Sequence, residues 1–263
     1  MVPDAKELFT ARIFIVTGGT QGLGKEIALH LARKNAQGIV ICGRNTENGE
    51  TAVREISEIG CTCEFVPADL TVAEDCRKVV HACDGKFGKV HGLVNAAGST
   101  DRGGLEDTTV EDWDRMFNLK VRAPFLLTQD VTKTMKRNAS GGSIVNIISD
   151  CGHGGPPYLM GYSVSKGALA TLTKNNAHAL RPDRIRVNGI KMGWTFTPHE
   201  DVVQKSMGQG ENWLEEAEAR MPFGRLLRPF DIAYLVSFLL SDQSEMMTGA
   251  IIDFNQNVVG AWD

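Results

Sequence analysis

The chain has 263 residues, 42% of them hydrophobic and 23% charged, and a formal net charge of −4. That length suits one large α/β domain, and the mildly acidic balance excludes the basic surface needed to bind nucleic acid or an anionic membrane. The opening MVPDAKELFT carries Asp4, Lys6 and Glu7 and lacks the apolar run of a secretion signal, so a cytoplasmic protein with six reduced cysteines is expected.

Short apolar runs alternate with longer amphipathic stretches. A strand is predicted over 12–17 (RIFIVT) with a helix over 24–34, then a strand over 38–42 and a helix over 48–59. The pattern continues with a strand over 63–66 and a helix over 73–86, then a strand over 92–95 and a long helix over 110–136. After it come strand 143–148, helix 162–180, strand 184–188, helix 231–241 and strand 250–254. Several strands are nearly continuous Val/Ile, as expected where helices cover both faces of a parallel sheet. Repeated strand–helix–strand units imply right-handed crossovers and a doubly wound, Rossmann-type α/β fold, taken as a single domain over 1–263. Residues 193–229 mix Gly, Pro, Trp and charged residues without a period and are expected to form a substrate loop or lid.

Directly after the first strand stands Thr17-Gly18-Gly19-Thr20-Gln21-Gly22-Leu23-Gly24, with glycines spaced Gly18-x-x-x-Gly22-x-Gly24. Glycines let the backbone approach a pyrophosphate, and the following helix offers free N–H groups and a positive dipole end. Where a carboxylate would bond the ribose hydroxyls of NAD(H), at the end of the second strand, the chain reads Cys42-Gly43-Arg44-Asn45. A guanidinium there suits a 2′-phosphate, so NADP(H) is favoured and NAD(H) is the alternative.

Tyr162 and Lys166 are spaced i, i+4 and share one face of the helix over 162–180. A nearby ammonium stabilises a phenolate and brings tyrosine toward the working range of a general acid/base. Ser149 closes a strand thirteen residues before Tyr162, at the carboxyl end of the sheet where ligands of open α/β folds bind. The glycine- and proline-rich loop 150–157 between them can wrap a small molecule.

Taken with Asp69 in PADLT, Asn95-Ala96-Ala97-Gly98, Asn118 in MFNLKV, Val187-Asn188-Gly189-Ile190 and Thr248-Gly249, these segments follow a familiar order. In them the chain resembles the short-chain dehydrogenase/reductase family over nearly its whole length. The resemblance implies a quartet of Asn118, Ser149, Tyr162 and Lys166. Tyr162 would exchange a proton with the substrate oxygen beside a nicotinamide, and Lys166 would lower its pKa and hold the ribose. Ser149 would orient the carbonyl or alcohol, and Asn118 would support a water-linked relay. It also implies cofactor contacts along Gly18, Thr20, Gln21, Gly22, Leu23 and Gly24, at Arg44, Asp69 and Leu70, at Asn95 to Gly98, and at Thr197. Asp69 would bond the adenine, and Asn95 would meet the ribose or brace the sheet. Two departures stand out: Lys191-Met192-Gly193-Trp194 where the family has Pro-Gly, and Asp253-Phe254-Asn255 where it often has Asp-Gly-Gly.

Substrate contacts are expected from Ser149, Cys151, His153, Tyr162 and Trp194, with His199 on the far side, while Trp194 and Trp213 either line an apolar wall or anchor the lid. No His/Cys/Asp/Glu spacing implies a metal. The expected activity is hydride transfer between a nicotinamide dinucleotide and a small alcohol or ketone, with a sugar, polyol or hydroxy acid as substrate. One alternative is a 3-oxoacyl thioester reductase, docking its carrier through Arg220, Arg225 and Arg228. Another is a non-catalytic dinucleotide sensor or scaffold. The resemblance further implies a homo-oligomer, tetramer or dimer, to which the tail VVGAWD could contribute.

Overall fold

The computed structural model describes residues 8–139 and 141–259; the N-terminal charges singled out above and the last four residues of the tail lie outside them. Seven strands form one sheet in the order β3-β2-β1-β4-β5-β6-β7. They are β1 (Ile13–Thr17), β2 (Gly38–Gly43), β3 (Thr62–Pro67), β4 (Gly92–Asn95), β5 (Gly142–Ile147), β6 (Ile185–Met192) and β7 (Ile251–Phe254). Every neighbouring pair is parallel, from Ile13 against Gly38 to Met192 against Phe254.

The period of two along each strand divides the core. Phe14, Val16, Ile39 and Ile41 face one layer, which contains α1 (Gly22–Arg33), α2 (Thr46–Glu58) and α9 (Pro229–Leu240). Ile13, Ile15, Val40 and Cys42 face the other, with α3 (Ala73–Phe87), α5 (Ala123–Arg137) and the end of α6 (Met160–Leu180). Both faces are covered, which is why the strands are apolar at consecutive positions. The order of the strands reverses between β1 and β4, so the carboxyl ends of these two strands open a crevice at the switch point.

Two expectations needed correction, and a third segment proved to carry helices. The helix expected over 110–136 is α4 (Val110–Phe117), a π-turn over Asn118–Arg122 and α5, the Ala123 N–H reaching back to the Asn118 carbonyl. Strand β6 runs four residues beyond 188, because Lys191 and Met192 pair with Asp253 and Phe254 of β7. The stretch over 193–229 contains α7 (Pro198–Ser206) and α8 (Trp213–Ala219). Thr197 starts α7 by accepting the Glu200 N–H at 3.0 Å, with Pro198 at the first helical position, where its missing N–H costs nothing. Among the described residues no helix is long and apolar enough to cross a membrane.

Candidate active site

A cleft of about 1310 Å³ runs along the carboxyl ends of the strands, from the β1–α1 turn to α7. At its first end the backbone is shaped for close approach. Gly18 has φ +66° and a Cβ there would stand 2.9 Å from Ala97 Cα, while a Cβ on Gly24 would run into the Gly18 carbonyl. Gln21 opens α1 without a side-chain cap, so the first N–H groups of the helix keep their donors for a ligand. The Thr17 hydroxyl accepts the N–H groups of Ala96 and Ala97, both at 3.0 Å, and so fixes the end of β4 against β1. This cradle fits a dinucleotide pyrophosphate.

Arg44 is exposed at the end of β2 and lines the same cleft. Asp69 and Leu70 line it beyond β3. Burial raises the Asp69 carboxyl, but the N–H and hydroxyl of Thr71, and then Arg44, outweigh it and hold the group below the usual carboxylate range. Ala96, Ala97 and Gly98 line the cleft, and Asn95 does not. Asn95 donates to Asn146 Oδ1 at 2.7 Å, and Asn146 donates to Thr173 at 2.8 Å, tying β4 through β5 to α6. Of the two roles considered for Asn95, its contacts are those of the sheet brace.

At the other end Ser149, Tyr162 and Lys166 converge. Tyr162 and Lys166 stand one turn apart on α6 and are both buried, and the Ser149 hydroxyl, which donates to Asp150 Oδ1 at 3.1 Å, acts on the phenol. Lys166 Nζ donates to the Ile147 carbonyl at 2.7 Å and lies 5.7 Å from the centre of the Tyr162 ring. Burial, and then the charge of Lys120, push Lys166 down to about 7. Burial pushes the Tyr162 phenol up; the Ser149 hydroxyl opposes this, and Cys151, Asp150 and Glu200 add to it. Asn118, half-buried in the π-turn, does not line the cleft.

Cys151, His153, Trp194, Thr197 and His199 all line the cleft. His153 is held rather than free: its Nε2 is 2.7 Å from Asp253 Oδ1, and Lys191 Nζ is within 2.9 Å of its ring nitrogens. Trp194 and Trp213 stack with centroids 5.9 Å apart. Trp213 is buried beneath with Ala217 and Leu226, whereas Trp194 is 41% exposed and faces the cleft. Trp213 thus packs inside the segment and Trp194 forms part of the cleft wall. The segment where Pro-Gly is missing is pinned instead by Leu227, whose N–H donates to the Trp194 carbonyl at 3.1 Å and whose carbonyl accepts the Phe196 N–H at 2.9 Å.

Sequence reasoning passed over Glu200, Lys191 and Lys120. Glu200 accepts from Trp194 Nε1 at 2.8 Å and from Gln204 Nε2 at 2.7 Å. A lysine at the carboxyl end of the strand IRVNGIKM, and another on the inward side of a helix, were the available signals. Arg220, Arg225 and Arg228 are paired with Glu216, Asp231 and Glu218, so they form no open basic patch. Among the described residues no His/Cys/Asp/Glu group could hold a metal ion.

Known proteins are similar to this chain over nearly all of its length. A sequence model of the family described as enoyl-(acyl carrier protein) reductase matches residues 18–256. The NADP-dependent (R)-specific alcohol dehydrogenase of Lentilactobacillus kefiri is 33% identical over 91% of this chain and 93% of its own. The crystal structure of L-sorbose reductase from Gluconobacter frateurii, complexed with NADPH and L-sorbose, superposes with a TM-score of 0.91 at 25% identity, covering 98% of this chain and 100% of that one. An NAD+-bound xylitol dehydrogenase superposes with a TM-score of 0.86 at 28% identity, covering 95% and 99%.

Proposed function

This chain belongs to the short-chain dehydrogenase/reductase family and is an oxidoreductase of CH–OH groups that uses a nicotinamide dinucleotide, and from that premise we propose that it prefers NADP(H) and interconverts neutral polyols and ketoses. The observation that carries the reading is the meeting of Ser149, Tyr162 and Lys166 at one end of a cleft whose other end is the Gly18–Gly24 cradle. The bound cofactor supplies or accepts the hydride. Tyr162 gives its phenolic proton to the substrate oxygen in reduction and takes it back in oxidation. Ser149 donates to the same oxygen and fixes its distance from the phenol. Lys166, anchored on Ile147, contributes positive charge beside the ring and favours the phenolate. Asn118 completes the quartet from the π-turn, supporting proton supply toward Lys166.

A neutral, polyhydroxylated substrate is favoured over a hydroxy acid because the charges of Asp150 and Glu200 already act against the phenolate and would repel a third carboxylate. The exposed face of Trp194 offers a flat apolar wall for sugar C–H groups, with His199 as a hydroxyl partner, and 193–229 closes over this end as the lid. NADP(H) is supported by Arg44, at the place where an NAD(H) enzyme would carry a carboxylate. The carrier-linked thioester reading is the second choice, since the three arginines it would dock through are each paired with a carboxylate of this chain. A dinucleotide sensor has no use for the buried tyrosine–lysine pair. Six free cysteines suit a cytoplasmic setting, and exposed Phe125 and Val164 on α5 and α6 suit a homo-oligomer, tetramer or dimer.

The test is turnover of xylitol, D-glucitol, L-sorbose, 3-hydroxybutyrate and an acetoacetyl thioester with both dinucleotides, by wild type and Tyr162→Phe. Turnover of the neutral compounds, falling roughly 10²–10⁴-fold in Tyr162→Phe, is expected. Equal turnover by the variant overturns the role of Tyr162. Preference for the hydroxy acid or the thioester overturns the substrate class.

A further inference from the structure

Lys120 has no place in the quartet, yet its ammonium is as close to the Tyr162 ring as that of Lys166. Its Nζ lies 5.8 Å from the ring centroid against 5.7 Å for Lys166, and its side chain is wholly buried. It sits within the π-turn, a local widening of the helix that proteins often keep at functional sites. A lysine pays heavily for burial unless its charge is compensated. Here compensation is loose: Asp101 Oδ2 is 3.5 Å away and Lys120 donates to Ser99 Oγ at 3.5 Å. Asp101 is shared further, accepting from Ser99 at 2.7 Å and pairing with Arg115 at 3.1 Å.

We propose that Lys120 is a positioning residue for proton transfer, a second cation that favours the Tyr162 phenolate through space, and that Asp101 sets how much of its charge the phenol feels. The proposal rests on Tyr162 being the acid/base. The phenol is faced by Lys166 from its own helix, by Lys120 from the π-turn, by Ser149, Asp150 and Cys151 from the end of β5, and by Glu200 from α7. Burial, Cys151, Asp150 and Glu200 all oppose the phenolate, so positive charge must come from the two lysines. Lys120 is faced by Asp101, Ser99 and Arg115 as well as by Lys166. Burial lowers its pKa and Asp101 raises it, whereas Lys166 has no carboxylate partner and is lowered by Lys120 itself. Lys120 therefore has a carboxylate to hold its charge, which Lys166 lacks. A unit charge about 6 Å away, in the partly screened interior, moves an ionisation by about one pH unit or more.

The chain has three tyrosines, Tyr158, Tyr162 and Tyr234, so ¹³Cζ-labelled tyrosine reports each ionisation without any substrate. Spectra are recorded from pH 6 to 11 with NADP+ or NAD+ at saturation, the Tyr162 signal being the one absent from Tyr162→Phe. The Tyr162 midpoint is expected to rise by about one pH unit in Lys120→Met, to stay in place in Lys120→Arg, and to fall in Asp101→Asn. A merely structural Lys120 would not move the midpoint in opposite directions in these two neutralising variants. An unmoved midpoint in Lys120→Met, or an unmoved or raised one in Asp101→Asn, overturns the proposal. The second variant decides alone if the first does not fold. A wild-type Tyr162 that stays protonated through pH 11 overturns both this proposal and the acid/base reading beneath it. Undiminished turnover by Tyr162→Phe overturns that reading whatever Lys120 does.

Discussion

The ammonium of Lys166 stands 5.7 Å from the centre of the Tyr162 ring, but its hydrogen bond goes to the Ile147 carbonyl at 2.7 Å. Lys166 thus acts on the phenol by charge, while β5 fixes where that charge sits. Its folded-state value of about 7, set first by burial and then by Lys120, lies far below that of an unfolded lysine. Below pH 7 both states hold the proton and the burial cost is paid in full. Above it the folded state releases the proton while the unfolded chain keeps it until about pH 10.4, so stability rises with pH across that window. Cofactor-free wild type should gain a few kcal/mol relative to Lys166→Met between about pH 7 and 10, read from guanidinium midpoints. The same variant should lose turnover by roughly 10²-fold or more.

Arg44 is the exposed cation at the end of β2. Arg44→Ala should weaken NADP(H) by roughly 10–100-fold, the worth of one or two charge-assisted hydrogen bonds, and leave NAD(H) within about twofold. Fluorescence titration with both dinucleotides measures this. Tighter NAD(H) binding in wild type, untouched by the substitution, would sink the preference.

Gly24 packs against the Gly18 carbonyl, where a methyl group has no room. Gly24→Ala must push α1 away from the β1 turn. Dinucleotide affinity should fall at least tenfold and thermal stability should drop by the equivalent of about 1–3 kcal/mol. Calorimetry with and without cofactor separates the two effects.

Trp213 is buried and donates to Asp201 at 2.8 Å, whereas Trp194 lies above it with one face open to the cleft. Trp213→Ala should cost roughly 3–5 kcal/mol of stability by leaving a cavity. Trp194→Ala should raise KM for the preferred polyol or ketose severalfold with a smaller change in melting temperature. The reverse ranking would count against Trp194 as a substrate wall.

His30 is buried between α1 and α9, edge-on to Tyr234 at 4.9 Å, and its Nε2 has no partner. Burial first, then Lys34 and Arg33, push it down to about 4. The unfolded chain therefore binds a proton near pH 6.5 that the folded state refuses, and stability is lost as pH falls from about 6.5 to 4. His30→Phe should flatten that acid limb by up to about 3 kcal/mol in denaturant titrations between pH 7 and 4, with little change at pH 8.

Much of the fold was legible because its signals are local. Runs such as IFIVT and GIVICG repeat at strand length between helical periods, and the parallel topology follows from the crossovers they require. The glycine turn, the Tyr162–Lys166 spacing and the strand-end position of Ser149 are likewise properties of one element or one junction. The break at Asn118–Arg122 was not legible: residues 110–136 keep an apolar face throughout, and a π-turn adds one residue to a turn without marking the composition. Nor were α7 and α8, short helices held by Thr197, Pro198 and the burial of Trp213.

By itself the sequence determined the α/β alternation, the glycine turn and the Tyr162–Lys166 spacing proposed for proton transfer, since each is written in residues a few positions apart on one element. Only the tertiary structure decided which charges face that chemistry. His153 meets Lys191 and Asp253 across 38 and 100 residues, and Tyr162 receives Lys120 from one side and Glu200 from another. Electrostatic energy depends on distance in space and on burial, and neither is encoded in the spacing of residues along the chain.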